Sequence, residues 1–142
     1  MARRCEEISM PALLVTGDRD SLQLISDHTT VVLEKTKEDI YFNRDRFFEE
    51  YGITPEEFVD VKALMGDSSD NIPGVPGIGE KTALKLLQSA KNLETIYSDV
   101  EKYGGTKSVI AKLESGRDSA FMSRRLATIL REAPICCDTS EL

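Results

Sequence analysis

One histidine, three cysteines and no apolar run of membrane-spanning length narrow what this 142-residue chain can be. His28 lies in a polar turn between two apolar runs, with no second histidine and no serine triad pattern beside it, so it reads as a surface residue. Cys5, Cys136 and Cys137 make an odd number, and the adjacent pair has no metal-ligand spacing. Free thiols fit that pattern better than a disulfide framework. No stretch approaches the ~18–20 apolar residues that a bilayer span requires, and the MARRCEEIS start lacks the continuous apolar segment of a signal peptide. The expected partner list therefore contains no membrane, and the expected location is the cytoplasm. The DxDxDG order of a calcium loop, with its distal glutamate, is missing too.

What the chain does contain is 40% hydrophobic and 30% charged residues, enough for one modest core or one core with a small appendage. Its net charge of −7 argues against indiscriminate nucleic-acid binding, because non-specific affinity comes largely from cations that displace counterions on phosphate. Charge must therefore act locally. Acids are abundant from Glu34 to Asp70, whereas cations gather in the second half, from Lys81 to Arg125. Most of those lysines read as solvated helix faces. Lys81 and Lys85 stand apart, because they follow a glycine-rich turn.

Along the chain, Ala2 to Ile8 is helical in composition but has no N-cap and reads as a severed helix. Pro11 introduces ALLVT, Ala12 to Thr16, a compact apolar run of the kind found in buried strands. Ser21 to Ser26 reads as a short turn or helix. Thr30 to Leu33 is a second strand, with Ile40 to Phe42 as its partner. From Asp45 the pattern turns helical: Asp45 to Tyr51, then Thr54 to Met65 with Thr54 as N-cap, Pro55 at the first position and Glu57 closing a capping box. Further helices are predicted over Glu80 to Gln88, Leu93 to Ser98, Lys107 to Glu114 and Asp118 to Leu130, with glycine breaks between, and a frayed tail from Ala133. The expected organisation is an α/β piece over residues 1–43, at the edge of a sheet, and a mainly α-helical region over 44–142.

The most informative stretch is GDSSDNIPGVPGIGEKTALK, Gly66 to Lys85. Asp67 and Asp70 stand three apart, so one tight turn places both on one side, where they could share a cation. Gly74, Gly77 and Gly79 supply positions for positive φ or close ligand approach, and Pro73 and Pro76 stiffen the segments between them. Past Gly79, Ala83, Leu86 and Leu87 form an apolar stripe, while Lys81 and Lys85 sit one turn apart on another face. The ordered string IPGVPGIGEKTALKLL matches the helix-hairpin-helix pattern, in which a Gly-hydrophobic-Gly turn offers main-chain amides to a nucleic-acid phosphate. Val75, Ile78 and Thr82 complete the candidate DNA-binding set with those glycines and lysines.

A second motif, TGDRD, ends the first strand. In an extended segment Asp18 and Asp20 would point the same way; alternatively the motif is a turn with a helix N-cap. The residues alone leave both open.

The segments LLVTGDRDSLQLIS, YGITPEEFVDVKALMGDSSDNIPGVPGIGEKTALKLL and SRRLATIL resemble the 5′-to-3′ exonuclease domain of bacterial DNA polymerase I, within the wider flap endonuclease group. The likeness runs from about Met1 to about Pro134. It implies a PIN-like sheet edge followed by a helix-three-turn-helix DNA-binding domain, and a structure-directed nuclease that removes 5′ ends and flaps during DNA replication and repair. It further implies that Asp18, Asp20, Asp67 and Asp70 fall on carboxylates of a second metal position, holding Mg2+ or Mn2+, with Asp18 reaching toward the first. A potassium ion held by hairpin carbonyls near Val75 to Ile78 is also implied. The family carries further acids on elements preceding the region that matches Met1 to Ser9. The expectation is therefore that these 142 residues alone bind duplex or flapped DNA weakly and cleave it poorly, and that a truncated sheet favours self-association. The alternative is a helix-hairpin-helix DNA-binding module with no chemistry of its own.

Overall fold

The computed structural model describes residues 1–134, so Cys136, Cys137 and most of the tail read as frayed lie outside the described residues. After α1 (Ala2–Glu7), a small sheet forms in the order β1-β2-β3. β1 (Ala12–Thr16) runs parallel to β2 (Thr29–Leu33), and β3 (Ile40–Phe42) joins β2 antiparallel. The register aligns Leu14, Val31 and Phe42 in one row and Val15, Val32 and Tyr41 in the next. Neighbouring rows face opposite sides. Val31 and Phe42 belong to the core with Leu14 packed against it; on the other face Leu13 is 59%, Val15 57% and Tyr41 62% exposed, while Val32 is buried. The apolar run ALLVT is thus not the buried strand its composition suggests. It is covered on one face only.

Phe42 joins the sheet to the helices. Its ring packs with Phe47 and Tyr51 of α2 (Arg44–Tyr51), and Phe47 meets Phe58 edge-on at 5.6 Å. α2 starts at Asn43, whose side chain accepts from the Arg46 amide, and stops at Gly52 in the left-handed region. A 3₁₀ turn over Pro55–Glu57 leads into α3 (Phe58–Met65), with Glu57 Oε2 accepting from the Thr54 amide at 2.7 Å. The expected capping box is present, set on a tighter first turn.

α3 is the central helix. Phe58, Asp60, Val61, Lys62, Ala63 and Leu64 are all buried, and α4 (Glu80–Ala90) and α8 (Arg117–Ala127) pack against it. α4 buries Ala83, Leu86, Leu87 and Ala90, the one-face spacing of an amphipathic helix. Between them lie α5 (Leu93–Ser98), α6 (Val100–Gly104) and α7 (Lys107–Ser115). α6 is absent from the sequence expectation, which took Gly104-Gly105 as a break. Asp99 caps it by accepting from the Lys102 amide, and a Cβ at Gly104 would lie 2.6 Å from Ile110 Cγ1. Close packing of α6 on α7 therefore favours glycine at the last residue of the short helix, where the expected break falls. One continuous core runs from Leu22 and Val31 through Phe47 and Leu64 to Leu87, Leu113 and Ala120, so residues 1–43 and the described residues after them share it.

Candidate metal centre and nucleic-acid interface

The loop that follows α3 is closed by backbone contacts. Gly66 ends the helix at φ +72, and Asp67 and Ile72 exchange two amide–carbonyl hydrogen bonds of 2.8 Å each. Gly74, at φ +62, closes the base: a Cβ there would sit 2.3 Å from the Gly66 nitrogen. Only glycine fits at such an approach. Asn71, at φ +55, supplies the remaining left-handed residue, a conformation asparagine tolerates. Asp67 stabilises the turn from within, its Oδ1 accepting from the Ser69 amide at 2.9 Å and the Ser69 hydroxyl at 2.5 Å.

This loop sets Asp67 and Asp70 beside Asp20. One carboxylate oxygen from each of the three lies within 4.8 Å of the others. Asp18 is placed differently. β1 ends at Thr16, and a 3₁₀ turn over Arg19–Leu24 begins with Asp18 as its cap, accepting from the Asp20 amide at 2.9 Å. The turn reading of TGDRD is the observed one, and Asp18 is exposed outside the trio.

Sequence reasoning missed Lys62. Its Nζ lies 2.7 Å from Asp20 Oδ1 and donates to Asp67 Oδ2 at 2.6 Å, with the side chain only 6% exposed. A lysine one turn before the end of a helical run that is apolar apart from Asp60 was the available signal, because a buried ammonium needs anionic partners. Hydrogen bonds from Lys62 and then Ser69 hold the Asp67 carboxyl well below the usual carboxylate range, and burial opposes this only weakly. Burial alone would lower the Lys62 pKa, but the bonds to Asp20 and Asp67 outweigh it and leave the ammonium raised. A cluster of hard oxygen donors of this kind suits a divalent cation.

The hairpin is fastened from α8. Gly74 N donates to Ser123 Oγ at 2.9 Å, and the Ser119 hydroxyl donates to Gly74 O at 2.6 Å. This serine pair, one helical turn apart, was also unread in the sequence. Val75 N donates to Leu64 O and Ile78 N to Val75 O, and both side chains are buried. The candidate residues Gly74, Val75 and Ile78 therefore spend their amides on the protein itself and shape the turn. Among the described residues, the amides of Gly77 and Gly79 have no hydrogen-bond partner. α4 has no side-chain cap, which leaves the amides of Glu80, Lys81 and Thr82 free as well.

Lys81 and Lys85 are exposed beside these amides, and neither forms an ion pair among the described residues. Gly77 sits at φ +83, and its carbonyl accepts from Lys112 Nζ at 3.3 Å. Arg19 ties the two halves of the site together, pairing with Glu80 at the start of α4 at 2.7 Å. Arg124, one of the second-half cations, is committed internally to Asp60 and Glu94.

The sequence matches the family model described as 5′-3′ exonuclease, C-terminal SAM fold, over residues 53–142. It is 43% identical over 144 residues to DNA polymerase I of Bacillus subtilis, covering 100% of this chain and 16% of that protein. It is 43% identical over 123 residues to a 5′-3′ exonuclease of Halalkalibacterium halodurans, covering 84% of this chain and 40% of the relative. The chain thus spans 16% of the length of the DNA polymerase I relative and less than half of the exonuclease. Among solved structures it is similar to the bacteriophage T5 5′-exonuclease with bound divalent zinc, at 25% identity and a TM-score of 0.72, over 89% of this chain and 47% of that one. A bacteriophage T5 flap endonuclease in a pseudo-enzyme-product complex with DNA and metal ions matches equally well, at the same identity and TM-score.

Proposed function

Because this chain belongs to the 5′-3′ exonuclease family, we propose that it is the DNA-clamping and dication-holding part of a structure-directed 5′ nuclease. The observation that carries this is a single stretch, Gly66 to Lys85, in which a carboxylate loop runs directly into a hairpin with free amides. Asp20, Asp67 and Asp70 would hold Mg2+ or Mn2+, with Asp18 as an outlying carboxylate. The bound dication would supply charge stabilisation at a phosphodiester. The chain's own part is positioning. Free amides of Gly77, Gly79 and the first turn of α4, with Lys81, Thr82 and Lys85, would bind one backbone phosphate run without reading bases. Gly74, Val75 and Ile78 would hold that turn in shape. Residues 44–142 would form the DNA-binding unit and residues 1–43 the edge of the nuclease sheet.

A potassium ion on the hairpin would share the Gly77 carbonyl with Lys112. The second reading, a DNA-binding module without chemistry, is favoured by one observation: Lys62 already neutralises part of the acidic cluster.

Titration calorimetry with Mn2+ separates the two. Binding that is lost in Asp67→Asn and Asp70→Ala, together with fluorescence-anisotropy binding of a 5′-flapped duplex, is the expected result. Flap binding without any carboxylate-dependent Mn2+ uptake would leave the module reading in place.

A further inference from the structure

Lys62 is the one buried cation in the carboxylate cluster, and its surroundings assign it a role beyond neutral packing. The Lys62 side chain is only 6% exposed, and its α3 neighbours Val61, Ala63 and Leu64 are buried. Its partners are Asp20 Oδ1 at 2.7 Å and Asp67 Oδ2 at 2.6 Å. The other Asp67 oxygen is taken by the Ser69 amide and hydroxyl. Both Asp67 oxygens are thus occupied by the protein, and one of them by a full positive charge. One carboxylate oxygen from each of Asp20, Asp67 and Asp70 lies within 4.8 Å of the other two. A dication and an ammonium held against the same carboxylates at that range repel one another strongly.

We infer that Lys62 is a tethered counter-cation: it keeps Asp20 and Asp67 together when no dication is present, and it must give up those oxygens when one binds. The lysine stem, with four flexible carbons and a compact charge, can withdraw where a planar guanidinium could not. Two consequences follow for one residue. The metal-free fold depends on Lys62, and dication affinity is held down by it. This rests on the metal-centre reading proposed above, and the controls keep the two apart.

The test uses the full 142-residue chain and Mn2+ alone, followed by calorimetry and by electron paramagnetic resonance of free Mn2+. Lys62→Met should bind Mn2+ about tenfold tighter than the unsubstituted chain, a change equivalent to removing one opposing charge at short range. Its melting temperature should fall without metal and recover when Mn2+ is saturating. A purely structural lysine would lower stability without tightening Mn2+ binding, and equal or weaker Mn2+ affinity overturns the inference while Asp67-dependent binding in the unsubstituted chain leaves the metal centre standing. Absence of Mn2+ binding in both chains removes the metal centre and this inference with it. If Lys62→Met does not fold, the unsubstituted chain carries the test through the ¹⁵N resonance of the Lys62 ammonium. That signal should be protected in metal-free protein and shift or vanish on Mg2+ saturation, and an unmoved signal at saturation overturns the inference equally.

Discussion

Individual side chains here are best understood by asking where each charge and each hydrogen bond goes. Asp67 answers completely: Lys62 and Ser69 satisfy both of its oxygens. Its folded pKa lies below the ordinary 3.8, so its contribution to stability is present above that value and is lost as pH falls through the lower folded value. Acid titration of the melting temperature should therefore show the gap between the unsubstituted chain and Asp67→Asn narrowing as pH drops below 3.8. A gap that stays constant into strong acid would contradict the Lys62–Asp67 bond. Tyr97 is the opposite case. Its hydroxyl is buried with no partner among the described residues, and burial pushes its pKa up to about 12, with Arg117 opposing. Tyr97→Phe removes an unpaired polar atom, so stability should be unchanged or rise by up to about 1 kcal/mol, measured by urea denaturation.

At the level of elements, the hairpin separates structural glycines from one the fold does not require. Gly74 is held at positive φ against the Gly66 backbone. Gly74→Ala should cost about 3 kcal/mol or more, because both conformation and space oppose a Cβ. Gly79 has ordinary extended backbone, and no atom lies within 4 Å of the place a Cβ would take. Gly79→Val should leave circular dichroism and melting nearly unchanged, yet weaken flap-DNA binding at least about tenfold by blocking phosphate approach to the free amides. Unaltered affinity would remove the hairpin from the interface. Ser123→Ala tests the support from α8. It leaves the buried Gly74 amide without its acceptor and should cost about 1–3 kcal/mol.

For the molecule as a whole, exposed Leu13, Val15 and Tyr41 flank the buried Val32 on one face of a sheet whose β1 edge has no outer strand among the described residues. An open edge beside an apolar face favours pairing with another chain. Sedimentation velocity should show concentration-dependent association of the 142-residue chain, reduced by Val15→Lys. A monomer at all concentrations would show that the open face is tolerated alone.

Local rules made much of this chain legible. The helix boundaries at Thr54-Pro55 and Gly79, the α4 stripe and the Asp67–Asp70 spacing depend on neighbours within a few residues, where backbone sterics, capping and helical period act directly. Strand pairing of Thr30–Leu33 with Ile40–Phe42 was equally short in range. Tertiary structure alone decided three other things: that Asp20 lies beside the loop carboxylates, that Lys62 reaches Asp20, and that Ser119 and Ser123 fasten a hairpin some 45 residues earlier. Those contacts join segments far apart in the chain, and their energies arise only when packing of α3 and α8 removes water from the groups they bring together.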